Sequence, residues 1–132
     1  MSDLQIDKAE VRSYRDLIAW QKALSLAEQA YKLTSNFPNE EKFGLTSQMR
    51  RAAVSIASNL AEGHARNSRG EFMQFVGHAQ GSLAELETQS LLSARLGYLA
   101  SDAANRFSEQ SQEVSRLLAG LKTSLKDGHR SK

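Results

Sequence analysis

The sequence predicts an all-α protein, specifically an antiparallel up-down-up-down four-helix bundle. Apolar residues recur at spacings of three and four along almost the whole chain, which is the periodicity of amphipathic helices. The single proline, Pro38, falls between two such stretches, and no strand-like alternation competes with them. The connections between the stretches are short, and short connections leave each helix beside the preceding one.

The first two helices have recognisable ends. Ser13 and Asp16 have capping-box spacing, so helix one is predicted to begin at Ser13 and to run to about Ser35. Helix two is predicted to span residues 44–63. Gly63 would close it, because glycine adopts the left-handed conformation just past a helix end without strain.

The last two helices follow the same logic. Ser68 and Glu71 form a second capping box, so helix three is predicted to start there and to continue to about Leu96, before Gly97. Ser101 is predicted to cap helix four. The apolar stripe of helix four comprises Phe107, Val114, Leu117, Leu118, Leu121 and Leu125. The bundle domain is predicted to cover residues 12–126, with a flexible tail at 1–11 and a basic tail at 127–132.

Composition narrows the function classes. The chain has 132 residues, of which 40% are hydrophobic and 24% charged, as in a single globular domain. It has no cysteine, which excludes disulfides and thiolate chemistry. No signal peptide and no membrane-spanning apolar run is recognisable, so the expected location is the cytoplasm, with no membrane partner.

Covalent chemistry has no recognisable motif in this sequence. The sequence contains no zinc-protease motif, no phosphate-binding glycine loop and no nucleophile elbow. No histidine follows a glutamate at the spacing that di-iron bundle proteins use. His78 could act as a base, but it is better explained as a hydrogen-bonded structural histidine. We therefore predict a protein that is not an enzyme, with no catalytic residue, metal site or cofactor.

Helix two is apolar on two sides. Its main face contains Leu45, Met49, Ala52, Ala53, Ile56 and Leu60, and a second face contains Val54, Ala57 and Ala61. A helix of a monomeric bundle needs one apolar stripe, so the second face predicts contact with another subunit in a ring-shaped homo-oligomer. The alternative is that helix two is simply the most buried helix of a monomer.

Polar stripes also follow helices two and three. Their spacing brings Arg51 level with Glu85 if the two helices are antiparallel, and we predict an ion pair between them. Glycines within helix three are costly and indicate close packing. The candidate bundle or oligomer interface is Gln48, Arg51, Ala57, Asn59, Ala61, Glu62, Gly77, Gly81, Ser82 and Glu85.

Cations are concentrated in the first half of the folded region, although the net charge is only +2. Repeated around a ring, such a patch could contact RNA or DNA backbone phosphates. The candidate nucleic-acid-binding residues are Arg15, Lys22, Lys42, Arg50, Arg66 and Arg69. No aromatic platform is evident among them, and the alternative is that these are ordinary solvated surface charges.

Three segments carry a family resemblance: "WQKA" at residues 20–23, "FPNEEKFGLTSQMRRAAVSIASNLAEG" at 37–63, and "GSLAELETQ" at 81–89. Together they resemble the four-helix-bundle proteins encoded by intervening sequences in bacterial 23S rRNA genes. The resemblance implies a homopentameric ring. A related branch, the accessory variability determinant of diversity-generating retroelements, implies binding to a reverse transcriptase and to nucleic acid.

The sequence is compatible with two functions. The first is a nucleic-acid-binding accessory factor that uses the basic surface. The second is a protein-protein interaction scaffold with no nucleic-acid role. The resemblance implies fold and assembly more directly than it implies activity.

Overall fold

The structure, a computed structural model, describes residues 13–127, and within them it contains four α-helices and no strand. The helices are α1 (Ile18–Thr34), α2 (Leu45–His64), α3 (Arg69–Arg95) and α4 (Ser101–Lys126). The predicted all-helical fold is therefore confirmed. Of the predicted tails, residues 1–11 and 128–132 lie outside the described residues, and Asp127 is the C-cap of α4.

Contacts between α2 and α3 fix how the two helices lie together. The Ser93 hydroxyl of α3 donates to Met49 Sδ of α2 at 3.5 Å. One to two turns further along α2, the Ser55 and Ser82 hydroxyls share a hydrogen bond of 2.8 Å. Moving forward along α2 thus corresponds to moving backward along α3.

The helix α4 packs beside both α3 and α1. The Lys122 ammonium of α4 donates to Gln80 Oε1 of α3 at 3.3 Å, and the Lys22 ammonium of α1 lies 3.5 Å from a Glu113 carboxylate oxygen of α4. The buried apolar residues of all four helices form one common core.

That core is built mainly from aliphatic side chains, and Phe107 is its largest fully buried side chain. Burying an aliphatic or aromatic side chain of this size is worth about 1.5–3 kcal/mol relative to leaving it exposed. The largest fully buried apolar side chains are Phe107, Leu26, Met49, Ile56, Leu60, Leu86, Leu118, Val76 and Val114.

The start of α1 differs from the prediction. The Ser13 and Asp16 capping box is present, but it caps a short 3-10 turn, Tyr14–Asp16, rather than the helix itself. The chain then becomes extended at Leu17 (φ −75°, ψ 123°), and α1 begins at Ile18. The extended step directs Leu17 into the protein interior, where it is buried.

The role predicted for Gly63 is wrong. The helix α2 continues through Gly63 to His64, and Gly97 is the described glycine with a positive φ. A Cβ on Gly63 would lie 2.6 Å from Phe75 Cβ and 3.0 Å from Phe72 Cδ1. Gly63 is needed because α3 approaches α2 closely at this point.

The ends of α3 lie where predicted, although only the Ser68 half of the predicted capping box is formed. At its start, the Glu71 backbone N–H donates to Ser68 Oγ at 3.1 Å, which satisfies one of the unpaired donors of the first turn. At its end, Gly97 has a φ of 84°. The Tyr98 N–H donates back to the Ser93 carbonyl at 2.9 Å, which gives a glycine-terminated Schellman end.

The predicted cap of α4 is wrong by one residue. Ala100 holds the extended N-cap position without a side-chain hydrogen bond, and Ser101 is the first helical residue. The Asp102 carboxylate accepts from the Ala103 N–H at 3.0 Å and satisfies a donor of this turn instead.

Glu41 ties two turns of the bundle together. One carboxylate oxygen accepts from the Leu45 N–H at 3.0 Å and caps α2, and the other accepts from the Tyr98 hydroxyl at 3.0 Å. The hydrogen bond to Glu41 raises the pKa of Tyr98 above its ordinary value of 10.0. The connection before α2 is thereby fastened to the turn between α3 and α4.

This contact predicts an alkaline titration. Because Glu41 holds the Tyr98 proton, the stabilisation is present below the pKa of an unfolded tyrosine and is lost as the pH rises through the raised pKa of Tyr98. We expect Glu41→Ala to lower the pKa of Tyr98 towards its ordinary value. Ultraviolet absorbance of tyrosinate, with Tyr98→Phe to assign the signal, measures this.

The neighbouring Glu40 provides the matched control, since its carboxylate influences Tyr98 only weakly and through space. Glu40→Ala should leave the Tyr98 titration almost unchanged. Equal shifts in the two variants would contradict the assignment of the hydrogen bond to Glu41.

Candidate nucleic-acid and subunit interfaces

The six candidate cations lie in three places. The α2–α3 turn carries Arg66 and Arg69, and Arg15 is at the same end of the subunit, because its neighbour Tyr14 lines a groove with Ala61. We call this the basic end. The opposite end carries Lys42 and Arg50, and Lys22 lies on the side of α1 facing α4.

At the basic end, two arginines flank the N-cap of α3. Arg66 Nη2 lies 3.1 Å from Glu62 Oε2, and the Arg66 guanidinium carbon lies 4.8 Å from the centre of the Phe75 ring. Arg69 is exposed, and no ion pair of 4 Å or less joins it to another residue in the described range. Ser68 stands between them in the sequence, so both residues adjoin the N-terminus of α3, where the helix dipole places partial positive charge.

Arg50 has a structural role at the opposite end. Its Nε donates to Thr34 Oγ1 at 2.9 Å, its Nη2 donates to the Tyr31 carbonyl at 3.3 Å, and its guanidinium carbon lies 4.4 Å from the Tyr31 ring centre. Arg50 therefore ties α2 to the last turn of α1. Nearby in sequence, the Lys42 ammonium lies 5.7 Å from the centre of the Phe43 ring.

Aromatic rings accompany the cations, contrary to the expectation from sequence. Tyr31 lies beside Arg50 and Phe75 beside Arg66, and these pairs join residues that are far apart along the chain. Only the pairs Tyr14–Arg15 and Lys42–Phe43 are adjacent in sequence and could have been recognised there. Phe43 is 89% exposed.

Part of the predicted polar stripe forms a seam between α2 and α3. The Ser55 hydroxyl bonds to the Ser82 hydroxyl at 2.8 Å. The Asn59 side-chain amide donates to the Ser55 carbonyl at 2.8 Å and to the Ser55 hydroxyl at 3.0 Å. The structure thus brings three polar residues of the two stripes together inside one subunit.

The predicted pair between Arg51 and Glu85 is not formed within the chain. Each residue is one turn from the Ser55–Ser82 contact, so the two lie level as expected, but no ion pair of 4 Å or less joins them among the described residues. Both are exposed and line an open cleft of about 740 Å³ together with Gln48 and Gln89.

The glycines of α3 have room around them. A Cβ on Gly77 would lie 4.0 Å from Lys122 Nζ, and a Cβ on Gly81 would meet nothing within 4 Å among the described residues. Among the described residues, the close approach that these glycines predict does not occur.

The second apolar face of α2 borders a groove. Ala57 is buried and Ala61 half-buried, whereas Val54 remains 43% exposed. The groove has a volume of about 260 Å³ and is lined by Tyr14, Trp20, Leu24, Ala27, Val54, Ala57, Ser58 and Ala61. A neighbouring helix of the same subunit does not cover all of this face.

Within residues 13–127, no cluster of three or more histidine, cysteine, aspartate or glutamate side chains is placed to hold a metal ion. None of the helices in that range combines the length and the apolarity needed to cross a membrane. His78 is exposed, and its ring meets the Phe75 ring edge-on at a centroid distance of 5.6 Å.

These features define a small all-helical protein with four helices, a polar seam between α2 and α3, and paired cations and aromatic rings at its ends. The chain belongs to the family of 23S rRNA-intervening sequence proteins, whose family model matches residues 15–120. The resemblance read from the sequence is thereby confirmed.

A solved structure supports the fold. The crystal structure of a protein of unknown function from the S23 ribosomal protein family of Bacteroides thetaiotaomicron superposes with a TM-score of 0.72 at 24% sequence identity. The match covers 80% of this chain and 98% of that one. A search of curated proteins finds no match.

Proposed function

We propose that this chain is the subunit of a ring-shaped homopentamer of antiparallel up-down-up-down bundles, and that the ring is a nucleic-acid-binding accessory factor without catalytic activity. Membership of the 23S rRNA-intervening sequence family supports an RNA-related setting. The opposite order of contacts along α2 and α3 supports the antiparallel arrangement.

One observation carries the nucleic-acid proposal: Arg66 and Arg69 are both exposed on either side of the N-cap of α3. Backbone N–H groups of a helix start attract phosphate, and adjacent guanidiniums add full positive charge. Phe75 beneath the Arg66 guanidinium helps to hold it in place. The basic end is thus suited to phosphate contact.

Assembly into a ring would increase the affinity of the basic end for nucleic acid. Rotational symmetry places the basic end of every subunit on the same side of the ring, so one nucleic acid meets several copies. Each phosphate neutralised releases condensed counterions, and these contributions accumulate along the strand.

We expect Arg66→Ala/Arg69→Ala to weaken binding of a fluorescein-labelled RNA hairpin at least about tenfold at low salt, and to reduce the slope of log affinity against log salt by about 1 or more. The physical reason is the loss of phosphate contacts. Fluorescence anisotropy at several salt concentrations, repeated with a single strand of the same length and with duplex DNA, measures the effect.

The matched control is Arg106→Ala/Arg116→Ala, which removes the same charge from the exposed side of α4. It should retain the wild-type salt slope. If the wild type binds no nucleic acid near physiological salt, or if both double variants weaken binding equally, the proposal fails.

The alternative, a protein-protein interaction scaffold, is favoured by apolar side chains at the end opposite the basic end. Phe43 is 89% exposed and Leu91 is 68% exposed, and Leu96 near the end of α3 is also exposed. A reverse transcriptase, as the resemblance implies, or another protein would then cover them. Retention of a protein partner by a wild type that binds no RNA would select this function.

A further inference from the structure

Two opposite charges on one face of the subunit lack partners inside it. Arg51 projects from α2 and Glu85 from α3, both are exposed, and both line the same cleft of about 740 Å³. The ion pairs among the described residues, at a limit of 4 Å, join other side chains. The helices therefore place these charges level with each other and leave them unpaired.

A buried polar atom in the same cleft also lacks a partner. Gln89 Oε1 is shielded from solvent and accepts no hydrogen bond from any described residue. Buried carbonyl oxygens in native proteins are nearly always hydrogen-bonded. Gln89 also lines the cleft, so a polar group without a partner among the described residues lies beside it.

The cleft continues into an apolar surface. Val54 lines both the cleft and the groove between α1 and α2, while Leu91 and Leu92 are exposed on α3. In contrast, no large apolar side chain is exposed on the described residues of α4, Ser101–Lys126. We call the surface formed by Gln48, Arg51, Val54, Ser55, Glu85 and Gln89 the α2–α3 face.

We propose that the α2–α3 face docks a second copy of this chain, so that Arg51 of one copy pairs with Glu85 of the next. In a ring, α2 of one subunit then lies beside α3 of its neighbour, and the exposed leucines of α3 supply apolar area opposite the groove. The inference rests on the ring of the proposed function and specifies which side chains close it.

Charge complementarity selects this occupant over a nucleic acid. One chain presents both signs on the face, so identical copies can satisfy both, whereas a phosphate backbone at Arg51 would place negative charge beside Glu85. We therefore expect phosphate to bind at the basic end, where Arg69 makes no ion pair of 4 Å or less with the described residues.

The test is a charge exchange read out as mass. Arg51→Glu and Glu85→Arg should each lose the wild-type oligomer and run mainly as the single subunit in native mass spectrometry, because like charges then face each other between copies. The combination Arg51→Glu/Glu85→Arg should recover the wild-type mass. Arg116→Glu, on the outer side of α4, applies the same charge change and should leave the mass unaltered.

Circular dichroism establishes that each variant is folded, which we expect because both positions are exposed. Folded single variants that keep the wild-type mass, or a folded double variant that stays monomeric, would overturn the inference. A wild type that is itself a single subunit would overturn the ring as well. Unchanged mass with loss of RNA binding in Arg51→Glu would assign the face to nucleic acid and overturn the docking proposal.

Discussion

Replacing Gly63 by alanine is expected to destabilise the subunit by about 2 kcal/mol, because overpacking a rigid site costs about 1–3 kcal/mol and the better helix propensity of alanine returns at most about 1. The added methyl group would meet Phe75 Cβ at 2.6 Å and the Phe72 carbonyl oxygen at 3.4 Å. Neither atom belongs to a flexible side-chain end. The helices α2 and α3 would therefore have to separate.

Gly120 provides the matched control. It lies within α4, and a Cβ there would meet nothing within 4 Å among the described residues. Gly120→Ala should be neutral or should stabilise the protein by up to about 1 kcal/mol. Chemical denaturation at one fixed protein concentration compares the two, since assembly makes stability depend on concentration. Equal stabilities of the two variants would contradict the close approach of α2 and α3 at Gly63.

Replacing Phe107 by alanine is expected to have the largest effect on stability, a loss of about 3–5 kcal/mol, because it opens a cavity in the core. Phe107 is 1% exposed and is the largest of the fully buried side chains. A loss of this size is a large part of the total stability of a small domain. The free energy of unfolding, again from chemical denaturation, measures it.

The same substitution at Phe43 separates burial from residue type. Phe43 is 89% exposed, so Phe43→Ala should change the free energy of unfolding by no more than about 0.5 kcal/mol. If Phe43→Ala proved as destabilising as Phe107→Ala, the side chain of Phe43 would have to be buried, for example under another protein chain.

The sequence predicts the helices well because their stability follows the periodic apolar pattern. It predicts the ends less well, since one residue type can serve two purposes. A glycine near a helix end is compatible with a left-handed cap, as at Gly97, or with close helix packing, as at Gly63. Only the position of the neighbouring helix distinguishes them.

At the candidate surfaces too, the sequence predicts which residues lie level but not which side chains meet. Linear counting places Arg51 level with Glu85, and the Ser55–Ser82 hydrogen bond agrees with that register. Whether two level side chains meet depends on the direction in which each leaves its helix, which counting does not reveal. The stacking of Arg50 on Tyr31 likewise joins two helices and leaves no local signal in the sequence.

Two surfaces of the subunit differ in their chemistry. The α2–α3 face carries charges of both signs, a buried oxygen without a donor and an adjoining apolar groove, which suits a second copy. The basic end carries Arg66 and Arg69 beside a helix start, which suits phosphate. Charge reversal at Arg51 should therefore affect assembly first, and neutralisation at Arg69 should affect RNA binding without changing the mass.

The decisive measurement is native mass spectrometry of the wild-type protein at micromolar concentration. The proposed docking of the α2–α3 face and the proposed repetition of the basic end both depend on a ring of subunits. We expect a homopentamer of about 73 kDa, five times the subunit mass of 14.6 kDa. A dominant species at the mass of one subunit would contradict it.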